Sequence, residues 1–385
     1  MSEWKECKLG EVIYSNGSSI TASYSHKTIK YLDTGSITCG KIDSFQEILL
    51  SEAPSRAKRL VKDGSIVYST VRPIQRHYGY IKNPPENLVV STGFSVIETQ
   101  PDLADSLFIY HLLASKDVVE LLDTIAEGST SAYPSLKPTD IENLDILLPP
   151  LSEQKAIAAV LSSLDDKIDL LHRQNKTLEA MAETLFRQWF VEEADERWEE
   201  RPLSGIADFL NGLACQKFPP QNTIDKLPVL KIKELSSGIS EASDWATSTV
   251  KPQYIVEAGD VIFSWSASLI VKMWDGEKCV LNQHLFKVSS EEFPKWFYLL
   301  WCKHHLAEFI SISTSHATTM GHIKRGDLDT AMVTIPPPHI LQKMTGVISP
   351  LLDKQIENSK QLKGLEKLRD TLLPKLMSGE IRVKI

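Results

Sequence analysis

The sequence predicts an α+β protein: two globular α/β parts separated by two long antiparallel coiled-coil helices, with a pseudo-two-fold internal repeat. Three observations predict it. Residues 148–190, LPPLSEQKAIAAVLSSLDDKIDLLHRQNKTLEAMAETLFRQWF, open on two prolines and then run forty residues without Pro or Gly. A weaker echo, IPPPHILQKMTGVISPLLDKQIENSKQLKGLEKLRDTLLPKLMSGEIRV, fills residues 335–383. The segments before each stretch also match: KLGEVIYSNG (8–17) with PLSGIADFLNG (202–212), DGSIVYST (63–70) with AGDVIFSW (258–265), and VVSTGFSVI (89–97) with VLNQHLFKV (280–288). The chain therefore reads as two copies of one unit. Its predicted parts are a first domain at 1–150, a central long helix at 151–197, a second domain at 198–338 and a C-terminal long helix at 339–385.

Within each globular part, GSIVYST and GDVIFSW are β-branched and aromatic runs opened by glycine turns, which predicts strands. Apolar residues at helical spacing follow in SLFIYHLLASKDVVELLDTI (106–125) and PKWFYLLWCKHHLAEFI (294–310). A small-polar loop comes next, then the short strands DILL and MVTI, each ended by proline because proline cannot continue a ladder.

The first long helix carries a heptad seam. Steps of four and three from Ile157 reach Leu161, Leu164, Ile168, Leu171, Asn175, Leu178, Ala182, Leu185 and Trp189. Ser152 is the predicted N-cap, with Glu153 favouring the positive helix end. Asn175 stands alone among apolar positions. A lone Asn costs stability while fixing register, so Asn175→Leu is predicted to raise thermal stability and alter assembly. A rod of roughly 57 Å cannot bury such a stripe against itself. Its predicted partner is the second helix, whose seam is Leu341, Met344, Ile348, Leu351 or Leu352, Ile356, Leu362, Leu365, Leu372 and Leu376. Pro350 and Pro374 are predicted to kink or bound it. Packing of each helix on its own domain, or homodimerisation through the seam, stay open as alternatives.

Composition narrows the classes. The chain has 385 residues, 42% hydrophobic and 24% charged, a globular balance with apolar mass for more than one core. No apolar run reaches the roughly 18 residues of a membrane span, and the N-terminus lacks a secretion-signal layout. Five scattered cysteines without a C-x-x-C pair read as reduced thiols in a cytoplasm. The net charge of −8 argues mildly against nucleic-acid binding, but it hides a local patch. Residues 51–82 hold seven basic side chains against two acids, whereas VEEADERWEE (191–200) holds six acids against one arginine.

LPPLSEQKAIAAVLSSLDDKI (148–168), the closing LLPKLMSGEIRV (372–383) and the two-unit layout resemble the specificity subunits of type I restriction–modification enzymes. The resemblance spans the chain. It implies two target recognition domains, each reading half of a split DNA sequence, with the paired helices as ruler and as docking surface for two modification subunits. Those partners would carry S-adenosylmethionine and methylate adenine; this chain would hold no cofactor or metal and catalyse nothing. Restriction subunits can join such a complex. The second copy departs from the motif, lacking the Glu-Gln pair and the Ile-Ala step, which bears on the evenness of the two docking surfaces.

Residue chemistry points to DNA contacts in the loops. In the first unit the candidates are Arg56, Lys58, Arg59, Arg72, Arg76 and His77, since Arg is the usual reader of guanine edges. Ser129, Thr130 and Tyr133 join them from the loop GSTSAYPSL (128–136). In the second unit the equivalent loops supply Ser264, Ser266, Ser268 and Lys272, then Ser315, His316, Thr318, Thr319 and Lys324. Each of these side chains reads equally as part of an ordinary solvated surface. Enzyme readings are weaker. Asn83-Pro84-Pro85-Glu86 has Glu where a methyltransferase needs an aromatic to stack on a flipped base. Pro101-Asp102 with Glu153-Gln154-Lys155 makes a poor nuclease carboxylate set, and His304, His305, His316 and His322 lack metal-ligand spacing. No P-loop is present. The alternatives carried forward are a stand-alone methyltransferase or nuclease, and a coiled-coil scaffold without a DNA role.

Overall fold

The computed structural model describes residues 4–129, 133–315 and 321–383. The chain divides into two compact units, one made of residues 1–168 with 365–385, the other of 169–364. Among the described residues the α-helices are α1 (Ser106–Ala114), α2 (Lys116–Glu127), α3 (Pro138–Glu142), α4 (Leu151–Arg187), α5 (Ile232–Ser237), α6 (Lys295–His304), α7 (Leu306–Ser315), α8 (Arg325–Thr330) and α9 (Pro338–Met377). Both unit boundaries fall inside the long helices α4 and α9, so each helix contributes to both units.

The first unit holds two four-stranded sheets. One runs Gln46–Leu49, Thr28–Leu32, Leu88–Ser91, Ala57–Leu60; the other runs Ile13–Ser15, Phe94–Thr99, Ile66–Ser69, Tyr78–Tyr80. The second unit repeats both orders: Trp245–Thr247, Lys226–Leu230, Cys279–Leu281, Ile255–Val256, and Asp208–Asn211, Leu285–Ser289, Val261–Ser264, Ile270–Met273. Among the described strands each unit has one parallel strand pair, Leu88↔Lys30 in the first and Val229↔Val280 in the second. The predicted strands Ile66–Ser69 and Val261–Ser264 are buried throughout, as continuous apolar runs should be. Gly64 (φ 83°) and Gly259 (φ 95°) open the turns before them in the left-handed region that glycine enters without strain. The short strands Asp145–Leu148 and Met332–Ile335 pair with Lys5–Lys8 and Glu199–Pro202.

Two predicted helical stretches are each broken in two. Ser115 takes an extended conformation between α1 and α2, and its hydroxyl donates to Leu112 O at 2.7 Å. α6 ends at His304, and α7 begins two residues later.

The long helices pair antiparallel, which settles the fold class. Within the first unit Ile157, Ala158 and Leu161 are buried with Leu376 and Met377 of α9. Asp165 of α4 accepts from Arg369 of α9 at 3.2 Å, and Glu153 accepts from Arg382 at 2.6 Å. Within the second unit Ala182, Phe186 and Phe190 share a core with Met344, Ile348 and Leu352. Ile168 and Leu171 are buried; Leu164, Leu178 and Leu185 are half-buried at the seam's margin.

Four expectations about these helices need correction. Ser152 is no N-cap. The helix begins at Leu151, and Pro150 O accepts from Glu153 N (2.9 Å) and Gln154 N (3.0 Å), so Ser152 sits inside the first turn. Glu153 is spent on Arg382 rather than on capping. Pro350 and Pro374 do not end α9; each removes one ladder bond, and packing of the flanking turns carries the helix through. Asn175 is not alone. Its Nδ2 donates to Ser359 Oγ (3.2 Å) and its Oδ1 accepts from Asn358 Nδ2 (3.0 Å). Gln355 Nε2 donates to Asn175 O at 3.0 Å. This is a polar layer shared by both helices.

The layer reverses the expected sign of Asn175→Leu. Asn358 is 1% exposed, and removing Asn175 Oδ1 leaves its buried amide N–H only the longer bond to Gln174 Oε1 at 3.5 Å. The single substitution is expected to cost about 2 kcal/mol in urea unfolding. Asn175→Leu with Asn358→Leu should recover that loss and exceed wild type, while loosening register. A single variant more stable than wild type would refute the layer's role.

His111 of α1 faces the helix pair in the first unit. Its Nε2 lies 3.2 Å from Ser162 Oγ, with Asp165 and Arg369 beside it. Burial first, then the Arg369 charge, pushes its pKa down to about 4. A depressed histidine stabilises the fold fully above its unfolded pKa near 6.5, and that contribution is lost as pH falls toward 4. Asp165, pushed up by its own burial, opposes the effect over part of that window. The expected net loss is about 2 kcal/mol between pH 6.5 and 4. His111→Asn should flatten the slope in pH-dependent denaturation; an unchanged slope would exclude His111 as its source.

Candidate DNA interface

The predicted loops meet at the same place in both units. In the first, the loop leaving the Ile66–Ser69 strand meets the segment after α2. Arg72 N donates to Pro134 O (3.1 Å), Leu136 N donates to Thr70 O (2.7 Å), and Val71 bridges Ser135. In the second, Ala267 N donates to Gly321 O (2.9 Å), Ile323 N donates to Trp265 O (3.0 Å), and Ser266 bridges His322. A third segment, the turn before the Phe94–Thr99 and Leu285–Ser289 strands, closes each cluster. Its carbonyls at Gly93 and His284 accept from Thr70 N and Trp265 N. The frame is the same, bond for bond, and the side chains on it differ.

In the first unit the loop is a short helical turn, Pro73–Gln75, bracketed by Arg72 (φ 48°) and Arg76 (φ 56°). Left-handed backbone is costly for residues other than Gly, Asn and Asp, and it persists only where surroundings enforce it. Here Asp123 of α2 accepts from Ile74 N at 3.0 Å, and Arg76 O accepts from Cys39 N at 2.9 Å. The result is a rigid, exposed ridge. The Arg72 guanidinium lies 5.6 Å from the ring of Tyr133, which is 63% exposed. Ile74, 51% exposed, sits between the arginines. Arg56 joins the same end, since its carbonyl accepts from Thr92 N at 2.8 Å.

The other first-unit candidates are placed less openly. Lys58 is exposed on the Ala57–Leu60 strand. Arg59, half-buried beside it, has its Nε buried without a hydrogen-bond partner, and that burial lowers its pKa. His77 lies at the base of the ridge, Nδ1 2.7 Å from Ile37 O and 3.2 Å from Thr38 Oγ1. Ser129 Oγ accepts from Ser135 N at 3.3 Å, which closes its loop. Thr130 lies outside the described residues, as do His316, Thr318 and Thr319.

In the second unit three candidates are displaced. Ser264 is fully buried and its hydroxyl donates to Ser266 O at 3.3 Å, the same turn that Ser69 makes with Val71 O at 3.1 Å. Ser266 is also buried, its Oγ 3.1 Å from His284 Nδ1. Both hydroxyls build the turn and are withdrawn from any ligand. Lys272 pairs with Asp275 at 3.0 Å and lines a cavity with Glu179, Lys303 and Ser359, facing the helices instead of the loops. Lys324 remains exposed at the start of α8, and Ala267 and Ser268 form the exposed tip. Trp265, Gln283, His284 and Arg325 were not anticipated. Trp265 stacks on Phe286, its Nε1 donating to Asn211 Oδ1 at 3.0 Å. The match of 89–97 with 280–288 already pairs Gly93 with His284, and that register was the signal for this segment.

The model of the type I restriction modification DNA specificity domain matches residues 1–180 and again 195–367. This chain belongs to that family. It is 29% identical over 355 residues to the type I restriction enzyme MjaIX specificity subunit of Methanocaldococcus jannaschii, covering 85% of this chain and 79% of that one. It is 23% identical to the HindI specificity subunit of Haemophilus influenzae over 99% and 100% of the two chains. The type I restriction–modification S subunit from M. genitalium shares the fold, with a TM-score of 0.59, 16% identity, and 97% and 96% of the chains covered. The chain is therefore a non-catalytic, DNA-sequence-recognising subunit of a type I restriction–modification complex. A free-standing methyltransferase or nuclease and a scaffold without a DNA role are both set aside. The loop clusters are the strongest candidates for its DNA-facing surface.

The family motif also finds its physical meaning. Glu153 is 2% exposed; besides Arg382 it accepts from Trp4 Nε1 at 3.2 Å, and the Arg382 guanidinium lies 5.6 Å from the Trp4 ring. Gln154 Nε2 donates to Pro149 O (2.8 Å) and Leu103 O (3.1 Å), and its Oε1 accepts from Asp105 N (2.9 Å). The pair locks the helix start, the N-terminal strand and the C-terminal tail of the first unit together. In the second copy Leu341 replaces Glu153 and packs against an apolar cluster, while Trp198, the counterpart of Trp4, lies 5.9 Å from Phe190. The missing Glu-Gln pair is a change of fastening within the same layout.

Proposed function

We propose that each unit reads one half of a bipartite DNA duplex and that the helix pair receives two modification subunits. Those partners bind S-adenosylmethionine and methylate adenine on both halves; restriction subunits join the same assembly. The observation that carries this reading is the loop frame repeated in both units, with Arg72 N to Pro134 O answered by Ala267 N to Gly321 O. Twofold repetition of a reader matches two half-sites at a set separation. The net charge of −8, which by itself disfavours DNA binding, is accommodated in this reading because partners neutralise the DNA phosphates. We place the complex in the cytoplasm; among the described residues no helix is long and apolar enough to cross a membrane.

The test is co-expression with the partner modification subunit, followed by methylation-aware sequencing of cellular DNA. The expected result is one motif of two short specified blocks separated by a fixed unspecified gap. A single unbroken motif, or methyl transfer by the purified chain without any partner, would refute the reading.

A further inference from the structure

We propose that the left-handed loop position, Arg72 in the first unit and Ala267 in the second, is the specificity-determining residue of each half. The inference rests on the bipartite reading above and deepens it. The two positions are equivalent: each donates its N–H to the carbonyl of the segment after the second helix, at 3.1 and 2.9 Å. Both have positive φ, 48° and 56°, and neither is glycine. Glycine would meet the same backbone demand without strain. A side chain kept at a strained, exposed position in both copies is not there for the fold. The frame is constant and the residue upon it changes from a long cation to a methyl group, which is the pattern expected where two readers share a scaffold and differ in target.

The chemistry of each residue names its base. Arg72 is held by the Tyr133 ring and by a backbone that cannot swing, so its fork is preorganised for bidentate contact with guanine O6 and N7. Arg76, with the same left-handed backbone across Pro73–Gln75, supports it from the other side. Ala267 offers an apolar contact that fits a thymine methyl group, and its loop has five residues between Ser264 and Ile270 where the first unit has seven between Ser69 and His77, whose carbonyl accepts from Ser69 N. The first half-site therefore contains a G·C pair read by Arg72, and the second an A·T pair against Ala267.

The experiment uses the full chain with its partner modification subunit. Wild type, Arg72→Ala, Arg72→Gly and Ala267→Arg are compared by methylation-aware sequencing, with assembly and melting temperature measured for each complex. Arg72→Ala and Arg72→Gly are expected to relax one G·C position by about 10- to 100-fold in one half of the motif, leaving the other half intact. Arg72→Gly should melt at or above the wild-type temperature, since the strain is gone. Ala267→Arg should change the other half alone. An unchanged motif in assembled variants overturns the proposal. If methylation vanishes while the complex stays assembled, its binding to the site and to single-base variants decides: equal weakening across all of them assigns Arg72 to phosphates and also overturns it. A wild-type complex with no bipartite motif would fail the parent reading, a different result from a wild-type motif that the variants leave untouched.

Discussion

Phe190→Ala is expected to lower the stability of the second unit by about 4 kcal/mol, the upper range for emptying a buried aromatic site. Phe190 sits in the wide turn Gln188–Glu192 that ends α4. It is 4% exposed and its ring lies within 4.9 to 6.2 Å of Phe186, Trp198, Trp296, Phe297 and Trp301. Five aromatic neighbours cannot collapse into the space without leaving their own rotamers, so the cavity term is large and each edge-to-face contact is lost as well. Urea denaturation followed by tryptophan fluorescence reads the change, because three of the neighbours are indoles. A loss under about 1 kcal/mol would mean that the end of α4 is not anchored there.

Arg382→Ala is the second large effect, expected to destabilise the first unit by stranding the Glu153 carboxylate. The Glu153 carboxylate is nearly inaccessible and would keep only the Trp4 indole N–H. Arg382 itself is exposed, so the penalty comes from the stranded carboxylate and not from the arginine. Glu153→Gln, which removes the charge but leaves a shape that fits, should cost less. The double variant Glu153→Leu with Arg382→Leu should recover most of the loss, because an apolar pair leaves nothing unpaired. Differential scanning calorimetry of wild type, Arg382→Leu, Glu153→Leu and the Leu–Leu double variant completes a double-mutant cycle. Additive losses would show that the two residues are not coupled.

Local pattern made most of the fold legible. The heptad spacing located Ile157, Leu161, Ile168 and Leu171 on a buried face, and the glycine-opened runs located both central strands. Period and turn chemistry are short-range properties, and they report on short-range structure. What escaped was long-range. Glu153 meets a partner 229 residues away, and no periodicity announces that. Asn175 was read as a solitary polar residue because its layer mates, Gln355, Asn358 and Ser359, sit on a helix whose seam is irregular. The candidate interface was legible as loops and only partly as side chains. Arg72, Arg76 and Tyr133 lie on the exposed ridge, whereas Ser264 and Ser266 are folded into the turn beneath it. A serine hydroxyl suits a turn and a ligand equally well, so residue type could not choose between them.

The pinned loop ends have a consequence for how such proteins diversify. Because the frame bonds hold both ends of the variable tip, lengthening it from five to seven residues costs about 0.3 kcal/mol of closure entropy. New tips can therefore be tried at almost no risk to the body that carries them. If the tips read DNA as proposed above, the arrangement behaves as a socket with interchangeable bits, and a lineage can change what it recognises faster than it changes its shape.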